Sequence, residues 1–176
     1  CEAFLTPEWI SRYVHHVHVG ERAPMKFARF VEFLAQLEAT TKRNRMVEIL
    51  ADLFREAGSE EIDKIIYLCQ ERLVPAYVNL EFGIGEQLAA EALAKAAGRM
   101  KDEIRRLYKE KGDYGVVAEG LLPAAGKGLD VAQVYQRLHT VATASGEGAV
   151  AQKTDGLAAL LRDLGAREAR YVLRIP

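Results

Sequence analysis

The sequence predicts an all-α domain of some eight to ten helices joined by glycine turns, and three observations carry that expectation. Apolar residues recur every three to four positions from Met25 onward, and no stretch alternates convincingly with a period of two. Glycines punctuate the periodic stretches at helix-length intervals.

The elements follow in order. Residues 1–24 have their own character, proline-marked and aromatic with His15, His16 and His18 close together, and read as an N-terminal extension of a domain spanning 25–176. Phe27, Phe30, Val31, Leu34 and Leu37 form the first apolar stripe, and Met46, Ile49, Leu50, Leu53 and Phe54 form the second, ended by Gly58. Ile62, Ile65, Ile66, Cys69 and Leu73 mark a third helix, expected to run until Pro75 stops it. Gly83-Ile-Gly85 opens an alanine-rich pair of helices, at roughly 86–97 and roughly 99–110. Gly112 and Gly115 bracket a tight turn into a short helix that ends before Pro123. Asp130 with Gln133 forms a capping-box pattern ahead of a helix burying Val131, Val134, Leu138 and Val141. After Ser145-Gly-Glu-Gly148 the last long helix carries Leu157, Leu160, Leu161 and Leu164, and Tyr171 to Ile175 is a candidate terminal strand.

Composition bounds the function. With 176 residues, 49% hydrophobic and 28% charged, the chain has length for a buried core and the balance of a soluble globular protein. No apolar run reaches the roughly 20 residues needed to cross a membrane, and nothing at the start reads as a secretory signal. Two cysteines, Cys1 and Cys69, cannot build a disulfide framework or a four-cysteine zinc site, which favours a reducing, cytoplasmic setting. Cys69 lies on an apolar stripe as a small core residue. A net charge of −1 and a pI near 6.5 exclude a generically basic nucleic-acid binder, so any contact with phosphate must come from local clusters and helix ends.

Several patterns invite a chemical reading. Lys153-Thr-Asp155-Gly156 matches the K-x-D-G pattern in which nucleotidyltransferases form a lysine–AMP phosphoramide, but here it falls inside a helical segment with only twenty residues to follow. That nucleophile needs a strand-edge setting and acidic and lysine partners far downstream, so a surface lysine near a phosphate is the better reading. The histidines at 15, 16 and 18 have the chemistry of metal ligands, yet no clear carboxylate or cysteine partner lies nearby, and a solvated segment explains them more simply. Lys95, Arg99, Lys101, Arg105, Arg106, Lys109 and Lys111 form the strongest basic cluster, spread over more than one helix face and offset by Asp102, Glu103 and Glu110. Solvated i,i+4 pairing and phosphate contact explain that cluster equally well. Lys42-Arg43-Asn44-Arg45 sits at a predicted helix start, where backbone N–H groups and side chains act together. Gly83-Ile-Gly85, Gly112-Asp-Tyr-Gly115 and Gly146-Glu-Gly148 each precede a helix. Singly each is an ordinary corner; together they suit a surface that follows a phosphate backbone by shape.

The order of motifs from Met25 to Ile175 resembles the N-terminal DNA-binding domain of archaeal-type ATP-dependent DNA ligases. Leu37-Glu-Ala-Thr40 followed by Arg43 is similar to that family's L-E-x-T-x-x-R start, and Gly83-Ile-Gly85-Glu86 to its central L-G-I-G-E turn. Gly112-Asp-Tyr-Gly115-Val-Val-Ala118-Glu119 looks like its G-D-x-G-x-V-A-E block. Leu129 to Val134 with Ser145-Gly146-Glu-Gly148 resembles its helix and S-G-x-G-S hinge. Glu168-Ala-Arg-Tyr171-Val-Leu-Arg174-Ile175 is like its closing E-A-x-Y-x-x-R-x motif. Ala149 departs from the hinge serine, residues 1–24 precede the family's usual start, and Pro176 falls where the family continues toward its adenylation domain.

The resemblance implies a helical domain lying across the minor groove on both sides of a nick. Its contacts would go mainly to phosphates and sugars, insensitive to sequence and sensitive to salt. It implies duplex-contacting residues at Thr40, Arg43, Gly83, Gly85, Gly146, Gly148, Lys153 and Arg170. No catalytic residue or cofactor is expected in this chain. ATP and Mg2+ belong to the parent enzyme of DNA replication, repair and recombination, whose adenylation and OB domains would be partners with nicked double-stranded DNA. A helical protein-interaction scaffold is the rival reading, favoured by the mild acidity, and a metal-dependent enzyme built on the N-terminal histidines is the least supported.

Overall fold

The computed structural model describes residues 23–75, 77–78, 80 and 82–175. His15, His16 and His18, with nearly all of the segment read as an extension, lie outside the described residues. The described residues form nine helices: α1 Phe27–Glu38, α2 Arg43–Glu56, α3 Ile62–Cys69, α4 Glu86–Ala97, α5 Lys101–Lys111, α6 Tyr114–Leu121, α7 Val131–Thr143, α8 Ala149–Asp163 and α9 Ala166–Val172. None is long and apolar enough to cross a membrane.

The apolar stripes read from the sequence converge on one core. Phe27 and Phe30 of α1, Leu53 of α2, Ile65 of α3, Leu93 of α4 and Leu161 of α8 are all fully buried. Each contributes about 1.5–3 kcal/mol relative to an exposed position. The α4–α8 pair forms the centre of the bundle, and α7 and α8 make a helical hairpin. Arg137 meets Asp163 at one end of that hairpin (2.8 Å), and Lys153 meets the Ala142 carbonyl at the other (3.3 Å), so the two helices are antiparallel. Helices α6 and α9 pack so closely that a Cβ on Gly115 would run into the backbone carbonyl of Arg170.

Two capping devices fix where helices begin. Asp130 accepts from the Gln133 N–H (2.8 Å) while Gln133 accepts from the Asp130 N–H (3.0 Å), the reciprocal pair that the sequence pattern promised. Just before α1, the Phe27 N–H donates to Leu129 and the Val131 N–H donates to Met25, both across 2.9 Å, which ties the starts of α1 and α7 together.

Three local expectations are corrected. Residues 171–175 form no strand: Tyr171 and Val172 end α9. The helix is started by Glu168, which turns back to accept the Gly165 N–H at 2.6 Å, and its buried face is formed by Ala169 and Val172. Packing against α1 and α6 overrides the β-leaning local composition. Helix α3 ends at Cys69, well before Pro75, because the chain turns at Glu71 with φ of 55° and no longer supports a helical bond. Gly115 lies inside α6 rather than in a turn before it, since the cap is Asp113, whose carboxylate accepts the Val116 N–H at 3.1 Å.

Candidate nucleic-acid interface

The glycine turns place two helix N-termini side by side. Gly85 caps α4 and Gly148 caps α8, and in neither does a side chain bond the first-turn N–H groups. Gly83 and Gly148 have φ of 61° and 78°, the left-handed region that glycine enters without steric cost. Helices α4 and α8 run in the same direction. Lys153 reaches the Phe82 carbonyl at their beginnings (3.0 Å), and Arg162 reaches the Lys95 carbonyl at their ends (2.9 Å). Their positive dipole ends therefore emerge on one side of the domain.

A chain of polar contacts continues from α4 to the end of α1. Glu86, the first residue of α4, accepts the Tyr108 hydroxyl at 3.1 Å, and Tyr108 stacks on Tyr114 with centroids 4.0 Å apart. The neighbouring Asp113 takes Arg174 through two bonds of 2.6 and 2.9 Å, and Arg174 also meets Glu38 at 2.9 Å. Arg170 joins the same glutamate at 3.0 Å and Glu119 at 2.8 Å, while the Tyr171 hydroxyl donates to Glu38 at 2.6 Å. Beyond Glu38, Thr40 accepts the Lys42 N–H (3.2 Å) and Lys42 is the residue just before α2, whose N-terminus carries no side-chain cap and no acidic residue in its first turn. Arg43 is exposed there with no ion-pair partner among the described residues.

Charge in this network is tightly held. Bonds from Tyr171 and Arg174 drop the Glu38 carboxyl to about 2, and burial together with Glu38 pushes Tyr171 up to about 12. Burial raises Asp113, but Arg174 and the Val116 N–H outweigh it and hold the carboxyl below its ordinary value.

The eight residues carried by the motifs thus fall into two groups. Gly83, Gly85, Gly146, Gly148 and Lys153 come together at the paired starts of α4 and α8, while Thr40 and Arg170 flank Glu38 and Arg43 opens α2. The two groups differ in what their cations meet. Arg170 is neutralised by two carboxylates, whereas the Lys153 ammonium, half-buried, touches only carbonyl oxygens. Sequence reasoning missed Glu38, Asp113 and Arg174 as partners, because their separations of 61 and 136 residues leave no local signal.

The basic cluster on α4 and α5 is largely paired. Lys95 meets Asp155 (2.9 Å), Lys101 meets Glu91 (3.0 Å) and Arg99 meets Glu103 (3.4 Å), with Arg105 on Asp102 and Lys111 on Glu110. Most of that charge is a solvated, self-satisfied helix surface. Among the described residues no three His, Cys, Asp or Glu side chains gather in one place, and the lysine of the K-x-D-G pattern lies one turn into α8, bonded to main-chain carbonyls.

This is an all-α module among its described residues, with the glycine-capped starts of α4 and α8 on one side. The chain belongs to the DNA ligase N-terminal family, whose model matches residues 26–176. It is 41% identical to DNA ligase 2 of Thermofilum pendens over 169 residues, covering 89% of this chain and 28% of that protein. A probable DNA ligase of Dictyoglomus thermophilum is 42% identical, covering 86% and 26%, and a DNA ligase of Pyrobaculum arsenaticum is 42% identical, covering 85% and 27%. The chain thus spans between a quarter and three tenths of the length of these relatives.

Proposed function

We propose that the domain binds nicked duplex DNA without sequence preference, through phosphate and minor-groove contacts, as the DNA-binding part of an ATP-dependent ligase acting in replication, repair and recombination. The observation that carries this reading is the side-by-side pairing of the two glycine-started helices α4 and α8, neither with a side-chain cap, together with the start of α2, which has no side-chain cap or first-turn acid and bears Arg43. Backbone N–H groups at such ends attract phosphate oxygens, and glycine lets the strand approach closely. Membership of the ligase family supports DNA as the ligand. Adenylation and OB domains of the parent protein would complete the grip and supply ATP and Mg2+ chemistry, none of it through Lys153. The setting would be cytoplasmic.

Fluorescence anisotropy on a labelled nicked duplex across a salt series tests the reading. Affinity should fall linearly on a log–log plot with a slope of several units, each phosphate contact contributing roughly 0.9. Weak binding that is flat with salt would instead favour a protein-interaction scaffold.

A further inference from the structure

We infer that Lys153 is a positioning residue, acting on bound DNA through the Gly83 turn rather than as a phosphate ligand. This rests on the DNA-binding reading above. Three elements meet at its ammonium. Lys153 lies one turn into α8, its nitrogen donates to the carbonyl of Phe82, immediately before the Gly83 turn, and it donates again to Ala142 near the end of α7. Carbonyls at a helix C-terminus lack intrahelical partners and carry the negative end of the dipole, so a cation is stabilised there. No carboxylate among the described residues shares the ammonium, so main-chain oxygens alone set its position.

The second observation is Gly83 itself. A Cβ on that residue would stand 2.8 Å from the Lys153 nitrogen, so the end of the lysine side chain would have to move off its carbonyls to admit it. The missing side chain is the space the ammonium occupies. A lysine reaching outward to a phosphate would surrender both carbonyl bonds and release the loop that fixes where α4 begins. Held inward, it sets the distance between the Gly83–Gly85 and Gly146–Gly148 turns, and so the spacing of two phosphate-facing ends.

The test is nicked-duplex binding in a salt series by the full chain and the variants Lys153→Met, Gly83→Ala, Lys153→Ala and the Gly83→Ala/Lys153→Ala double. Lys153→Met should lower affinity about tenfold, the scale of losing bonds to a charged donor, with the salt slope unchanged. Gly83→Ala should weaken binding about tenfold alone and only about threefold in the Lys153→Ala background, where the strain of its φ of 61° remains but the ammonium no longer has to move. A slope reduced by about 0.9 in Lys153→Met would make Lys153 a direct phosphate ligand and overturn the inference, as would Gly83→Ala equally damaging in both backgrounds, which would leave φ strain alone to explain that glycine. Should the parent chain fail to bind the duplex, the DNA reading falls separately, and amide hydrogen exchange still decides. Faster exchange at residues 82–88 and 146–152 in Lys153→Met, with the rest unchanged, supports the positioning role, and unchanged exchange there overturns it.

Discussion

Glu38 accepts the hydroxyl of Tyr171 across 2.6 Å, joining the last residue of α1 to α9, 133 positions later in the chain. With Arg170 and Arg174 on the same carboxylate, this contact ties the last motif of the domain to the segment that leads into Arg43.

That contact gives stability a defined pH dependence. The Glu38 carboxyl is depressed to about 2 in the fold, so its contribution is fully present above the ordinary value of 4.5 and is lost as pH falls from there toward 2. Tyr171 is raised to about 12, so its contribution is present below 10 and disappears as pH rises from 10 to 12. Glu38→Gln should flatten the acid limb in urea melts taken between pH 5 and 2. At neutral pH it should cost about 1 kcal/mol, a modest figure because Glu38 is 43% exposed and solvent screens the pairs. A mutant whose acid limb matches the parent would show that the carboxylate carries no such load.

Glu61 is a buried carboxylate, 3% exposed, that accepts the Met25 N–H with both oxygens (3.0 and 3.1 Å) and the Gly58 N–H (3.2 Å). Alanine there strands two buried donors, and chemical denaturation should show a loss of about 2–3 kcal/mol. A loss below about 0.5 kcal/mol would mean that water reaches both amides.

Gly115 accounts for the second glycine of the G-D-Y-G block in terms of packing. Because a Cβ would strike the backbone carbonyl of Arg170, which cannot swing aside as a side chain can, Gly115→Ala should destabilise by about 3 kcal/mol and loosen α6 from α9. Gly120, on the same helix with nothing within 4 Å of where a Cβ would stand, is the control: alanine there should be neutral or slightly stabilising.

Arg43 and Arg170 should separate in DNA binding. Arg43→Ala removes a cation without an ion-pair partner among the described residues at the start of α2, and should reduce the salt slope by about 1. Arg170 is engaged by Glu38 and Glu119, so its removal should change the slope little while lowering the melting temperature. Equal slope changes for both would show that DNA displaces the carboxylates from Arg170.

Much of the fold is legible in the sequence because it is written locally. Helix α4 falls at 86–97 as its glycine stops foretell, and the Asp130–Gln133 box marks the start of α7. The end of the chain misleads because Tyr171, Val172 and Ile175 lean toward strand locally, and only contact with α1 and α6 makes α9 a helix. At the candidate interface, the glycine turns and Lys153 are visible as types at positions. The inward aim of Lys153 is not, since its partners are carbonyls 71 and 11 residues away and a carbonyl has no sequence signature. The Glu38 network is hidden for the same reason of distance.

The most direct measurement is amide mapping by 15N-edited NMR as nicked duplex is added. Shifts should concentrate at 43–45, 85–87 and 148–151, the uncapped starts of α2, α4 and α8, and shrink together as salt is raised. Shifts confined to the opposite ends of α4 and α8, around Gly98 and Leu164, or none at saturating duplex, would contradict DNA binding through these helix starts.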